Sequence, residues 1–162
     1  MKKISYLLIW LVFLLNISAC TGYKPIFGTS NLKFKIADYS ISGDKSLGNQ
    51  IYSKLYNFSK SNENATGAKN IYILINSSQK KNATAKNSAG KILGYRINLS
   101  TTIIAKDLMT GDEILNETFS YSSTYKAQEE FFETKKLEKQ TVENLINSTY
   151  QNLIIKLSEN IL

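Results

Sequence analysis

The chain has no histidine, one cysteine, one proline and one arginine among its 162 residues. Each scarcity closes off a class of chemistry. Without histidine there is no side chain whose ordinary pKa places a general base near neutrality, no Ser-His or Cys-His nucleophile pair, and no imidazole metal ligand. A lone cysteine forms neither an internal disulfide nor a cysteine-rich zinc site. Acidic residues number only 13. Five of them, Glu129, Glu130, Glu133, Glu138 and Glu143, fall on one segment of helical period, where a solvated face explains them better than a catalytic acid and base. The expectation is a protein with no enzymatic activity, metal or cofactor.

What is abundant is lysine. The 20 basic side chains against 13 acidic ones leave a formal charge of +7, a balance that suits nucleic acid, a membrane surface or an acidic ligand. The first residues choose among these. Lys2 and Lys3 precede a 14-residue apolar run, Ile4 to Ile17, broken by Ser5 and Asn16 and ending in the small pair Ser18-Ala19. That run is shorter than the roughly 20 residues of a membrane span and has the anatomy of an export signal, residues 1–19. Export makes nucleic acid an improbable partner and phosphate-bearing lipids a natural one. Loss of residues 1–19 leaves 143 residues with 18 basic and 13 acidic side chains, a charge of +5. Part of that excess is compositional, since 16 asparagines accompany the lysines.

The only cysteine follows at once. Ile17-Ser18-Ala19-Cys20 resembles the lipobox of bacterial lipoproteins, and the resemblance implies cleavage before Cys20, a diacylglyceryl thioether on its sulfur and an acylated amino terminus. Several acyl chains anchor durably where one does so marginally. Thr21, where inner-membrane retention would call for aspartate, implies sorting to the outer membrane with the domain facing the periplasm. Residues 20–31, which hold the only proline and two glycines, read as a lipidated tether.

Residues 32–162 form the expected folded domain. Alternation from Leu32 to Tyr39 predicts a strand, and Ser42-Gly43-Asp44 breaks it. Leu47, Ile51, Leu55 and Phe58 trace the stripe of a helix from Asp44, its cap, to about Ser61, with Gly48 an unfavourable residue inside it. Ile71 to Ile75 predicts a central strand, and residues 76–90, without a large apolar side chain, a continuation fraying into a loop. Tyr95, Ile97, Leu99, Thr101, Ile103 and Ala105 alternate with polar neighbours, a turn follows at 107–112, and Leu115, Phe119, Tyr121 and Tyr125 alternate again, so the two runs make a hairpin. From Ala127 the period becomes helical, with Phe131 and Phe132 off the stripe and leaving room for a bend or a start near Leu137. The sum is an α+β fold, a four-stranded mostly antiparallel sheet with two helices packed on one face.

Cys20 followed by Gly22-Tyr23-Lys24-Pro25-Ile26-Phe27-Gly28 resembles the CGF-x-PLYG start of the LptE family, the lipopolysaccharide-assembly outer-membrane lipoproteins, in particular its alphaproteobacterial branch. Further agreement comes from Gly94-Tyr95-Arg96-Ile97, Thr110-Gly111 and Ser120-Tyr121. The inserted Thr21 and a final helix without an alanine-rich start depart from the family pattern. The resemblance implies a non-enzymatic protein that plugs an LptD-like outer-membrane β-barrel, assists its assembly and binds lipopolysaccharide. Lys80, Lys81, Lys86 and Lys91, with Lys135 and Lys136, are the candidate contacts to lipid phosphates or acidic sugars, lysine acting as a point charge. A solvated lysine loop is the alternative for these side chains. A lipoprotein serving another envelope machine, a peptidoglycan-synthase activator or an ABC-transport auxiliary component, is the alternative for the whole chain.

Overall fold

The computed structural model describes residues 32–61 and 67–161. Cys20, the export signal and the tether lie outside the described residues. The elements run β1 (Phe34–Gly43), α1 (Lys45–Ser61), β2 (Lys69–Lys86), β3 (Ile92–Asp107), β4 (Glu113–Lys126) and α2 (Phe131–Ile161). The strands form one sheet in the order β1-β2-β3-β4. β1 and β2 are parallel, a pairing that requires a crossover, and α1 supplies it; the other two pairings are antiparallel.

The odd-numbered side chains of β2 and β3 are the core. Ile73 and Ile75 face Ala105 and Ile103 across the ladder, with Ile71 before them and Leu99 and Ile97 beyond, and all of these are buried. Leu47, Ile51 and Leu55 of α1 and Leu145, Ile146, Leu153 and Leu157 of α2 close over them, so both helices lie on one face. The other face is lined by hydroxyls. Across β3 and β4, Ser100 pairs with Ser120 at 3.2 Å and Thr102 with Thr118 at 2.9 Å. The mostly antiparallel four-stranded α+β architecture expected from the periodicity is the one observed.

The β1–α1 junction shows how local chemistry sets the layers. Gly43 turns the chain at φ 71°, and the Asp44 carboxylate accepts from the Ser46 and Leu47 amides at 3.0 and 3.2 Å, capping α1 as expected. At the far end of the helix the buried Ser59 hydroxyl donates to the Phe34 carbonyl and accepts from the Ile36 amide, next to the bulge between Ile36 and Asp38. A serine thus satisfies backbone groups on the outer edge of β1, which has no neighbouring strand on that side.

Three boundaries differ from expectation. β1 runs on to Gly43. β2 does not fray after Ile75: it continues through the polar stretch to Lys86, which pairs with Ile92. The long β3 pairs with this stretch as far as Lys86, with register shifts after Ala83 and Ala85, and backbone pairing does not require apolar side chains. α2 begins at Phe131, not Ala127 or Leu137, and runs unbroken for 31 residues. Its start is tied by the Gln128 amide, which donates to the Thr134 hydroxyl at 2.8 Å.

A candidate anion-binding cleft at one end of the sheet

The β2–β3 hairpin and the beginning of α2 meet at the same end of the molecule. The hairpin turn is organised by Asn87, whose side-chain oxygen accepts from the Ala89 and Lys91 amides at 3.1 and 2.8 Å, with Gly90 at φ 80° completing it. This fixes Lys91 at the hairpin tip. Further back along β2, Lys81 lies opposite Ile97 and so points to the helical side of the sheet. α2 delivers Lys135 and Glu138 from above. Together with Tyr95, Phe131 and Thr134 these side chains line a cleft of about 410 Å³.

Glu138 holds the cleft together. Its Oε2 accepts from Lys81 Nζ at 2.7 Å and from Lys135 Nζ at 3.1 Å. The Lys81 ammonium also sits 4.2 Å from the centre of the Tyr95 ring and 5.7 Å from that of Tyr125, and the two rings stack at 5.5 Å. Burial alone pushes the Glu138 carboxyl up, but the hydrogen bonds from the two lysines outweigh it and hold the group below its ordinary value. Lys81 is the mirror case: burial pulls it down, and the bond to Glu138 with the nearby Tyr125 hydroxyl carries it above the ordinary lysine value. Burial raises Tyr125, against the pull of Lys81. The Tyr125 hydroxyl is buried and makes no hydrogen bond of good geometry among the described residues, so its relation to Lys81 is proximity without alignment.

Of the six lysines singled out from the sequence, the fold brings Lys81, Lys91 and Lys135 to one cleft. Lys80 is opposite Asn98, on the hydroxyl-lined face. Lys86 is the last residue of β2, paired with Ile92, and Lys136 is exposed on α2; neither lines the cleft. Lys91 makes no ion pair among the described residues. Lys81, Lys91 and Lys135 against Glu138 and Glu129 leave the cleft a formal charge of +1, beside two aromatic walls, Tyr95 and Phe131. It can hold a phosphate or carboxylate whose attached ring or chain rests on Tyr95 or Phe131.

Sequence reasoning missed a second basic pair at the same end. Arg96 and Lys126 line a cleft of about 700 Å³ with Thr84, Leu93 and Thr124. The signal was present in Arg96, the only arginine of the chain, which stands at an outward, even-numbered position of β3. Among the described residues no group of three or more Cys, His, Asp or Glu side chains is placed to hold a metal ion.

By sequence, the chain matches no protein-family profile and no curated protein. Solved structures match its fold. Rare lipoprotein B from Shewanella oneidensis is 13% identical with a TM-score of 0.53, over 76% of this chain and 96% of that one. Lipoprotein B from Nitrosomonas europaea is 14% identical with a TM-score of 0.59, over 85% and 90%. A minor lipoprotein from Acinetobacter baumannii is 16% identical with a TM-score of 0.53, over 80% and 96%. At these identities the likeness is one of fold, and it extends over nearly the whole of each of those domains.

Proposed function

We propose that this chain is an outer-membrane lipoprotein of the LptE type, anchored through acyl groups on Cys20 and facing the periplasm, which works without enzymatic activity in lipopolysaccharide transport and assembly. Two independent lines support the lipoprotein reading: the lipobox-like Ile17-Ser18-Ala19-Cys20, and a fold shared with solved proteins that are themselves described as lipoproteins. The partner proposed is an LptD-like β-barrel. Barrel lumens are polar, and a sheet face lined by Ser100, Thr102, Thr118 and Ser120 offers hydrogen-bonding groups to such a wall.

The observation that carries the ligand reading is the convergence of Lys81, Lys91 and Lys135 from three separate segments on one cleft with aromatic walls. A phosphorylated amphiphile such as lipopolysaccharide presents both the anion and the apolar bulk that this arrangement accepts. Depletion in the native host tests the whole-chain reading: the barrel is expected to lose correct assembly and lipopolysaccharide to accumulate in the inner membrane. Purification of the chain from detergent-solubilised membranes without any outer-membrane barrel, together with normal lipopolysaccharide export on depletion, would overturn it.

A further inference from the structure

We infer that the β3–β4 turn is a membrane-contacting tip, with Leu108 and Met109 dipping into the headgroup boundary of the phospholipid leaflet that holds the Cys20 anchor. Met109 is 82% exposed and Leu108 52%, two adjacent apolar side chains turned to solvent. Their backbone, by contrast, is tied down on every side. The Asp107 carboxylate accepts from the Met109 and Thr110 amides at 2.8 and 3.3 Å, the Gly111 amide donates to the Asp107 carbonyl at 2.9 Å, and the Asp107 amide donates to the Asp112 carbonyl at 2.9 Å. A fixed turn that presents apolar side chains outward holds them there at no further ordering cost when a surface arrives.

The identity of that surface follows from where the chain enters the domain. The Leu108 amide donates to the Asn70 carbonyl, and the amide of the preceding residue, Lys69, donates to the Lys33 carbonyl. The turn and the first described residues therefore flank the same point of β2. Cys20 is 12 residues before Leu32, a stretch that spans at most about 40 Å. The opposite end of the sheet is one length of β2 away, 18 residues or roughly 55 Å of strand. A domain standing on the lysine cleft would hold its own tether out of reach of the membrane, whereas one standing on the β3–β4 turn keeps it slack. Charge points to the same partner. Around the turn Lys33, Lys35, Lys69 and Lys106 stand against Asp107, Asp112 and Glu113, a near balance, so the apolar pair Leu108 and Met109 dominates the contact and suits zwitterionic lipid.

The inference rests on the anchor reading of Cys20, and the experiment separates the two. Trp10 is the only tryptophan and departs with residues 1–19, so Met109→Trp in the lipidated full chain supplies a single emitter, with Leu93→Trp as its counterpart at the far end. Each is reconstituted into phosphatidylcholine vesicles containing brominated lipid and recovered by flotation. The expected result is a blue-shifted, bromine-quenched emission from Met109→Trp that persists in high salt, and a solvent-like emission from Leu93→Trp. Flotation with solvent-like emission at position 109 overturns the tip while leaving the anchor standing; failure to float overturns the anchor and the tip together.

Discussion

Lys81 and Glu138 are 57 residues apart in the chain, and their side chains meet at 2.7 Å, joining the polar half of β2 to the first turns of α2. The carboxylate is 17% exposed and the ammonium side chain 29%. Such a pair falls between an exposed ion pair and a buried charged hydrogen bond, so replacing Glu138 by Gln should cost about 1 kcal/mol.

The same pair gives a pH signature. Because the folded Glu138 carboxyl lies below its ordinary value, the unfolded chain binds more protons as pH falls through the range just under about 4.3. The stability it contributes is therefore full above about pH 5 and is lost as pH drops through the folded value. Lys81, raised in the fold, contributes fully below the ordinary lysine value and loses that share as pH rises through its own. Urea unfolding of the wild type and of Glu138→Gln, followed from about pH 7 to about pH 3, should show the gap between them closing on the acid side. A gap that stays constant would mean that Glu138 acts by packing and not by charge.

Position in the cleft, more than charge count, should govern ligand binding. Reversal at Lys91 and Lys135 together should weaken binding of purified lipopolysaccharide by at least about thirtyfold at low salt, since each lysine near an anionic surface contributes about 1 kcal/mol. The same reversal at Lys80 and Lys136, which leaves net charge identical, should change it less than about twofold because both point away from the cleft. Equal losses from the two double variants would indicate a diffuse field and no site.

These lysines also mark what the sequence could and could not disclose. The β3 alternation from Tyr95 to Ala105 was legible because every second side chain except Thr101 is apolar and turned to the core side of the sheet. Residues 76–86 hid their strand because the inward positions after Ile75 are the polar Ser77, Gln79 and Lys81, of which Ser77 meets Thr101 and Lys81 meets Glu138. No pattern within β2 announces a hydroxyl on β3 or a carboxylate on α2. The start of α2 was obscure for the opposite reason: Phe131 and Phe132 look like core residues and are 76% and 72% exposed. Lys81, Lys91 and Lys135 could be named from the sequence as basic; their separation from Lys80, Lys86 and Lys136 depends on strand parity and on the hairpin turn, which only the pairing register defines.

Gly48 illustrates a residue whose meaning reverses once packing is known. Helix propensity alone makes Gly48→Ala favourable by about 1 kcal/mol. A Cβ at this position, however, would overlap the Ile41 side chain, because α1 crosses β1 closely there. The substitution should instead destabilise by about 1–3 kcal/mol. Combined with Ile41→Ala, which removes the Cγ2 methyl that the new Cβ would meet, the loss should be clearly smaller than the sum of the two single losses; a stabilised single variant in thermal unfolding would show that the helix can lift away without cost.

Ser77 and Thr101 face each other in register on the helical side of the sheet, both fully buried, with their hydroxyl oxygens 3.3 Å apart. The other buried serine and threonine hydroxyls, those of Ser59, Thr141, Thr149 and Ser158, donate to backbone carbonyls. Ser77 and Thr101 have only each other among the described residues, so removal of one strands the other in the core. Ser77→Ala and Thr101→Val should each cost about 1–3 kcal/mol, the penalty of an unsatisfied buried group. Removing both leaves an apolar pair of nearly the same shape, and the double variant should cost clearly less than the sum of the singles. Additive losses in a denaturant double-mutant cycle would contradict the pairing and place the cost in lost volume instead.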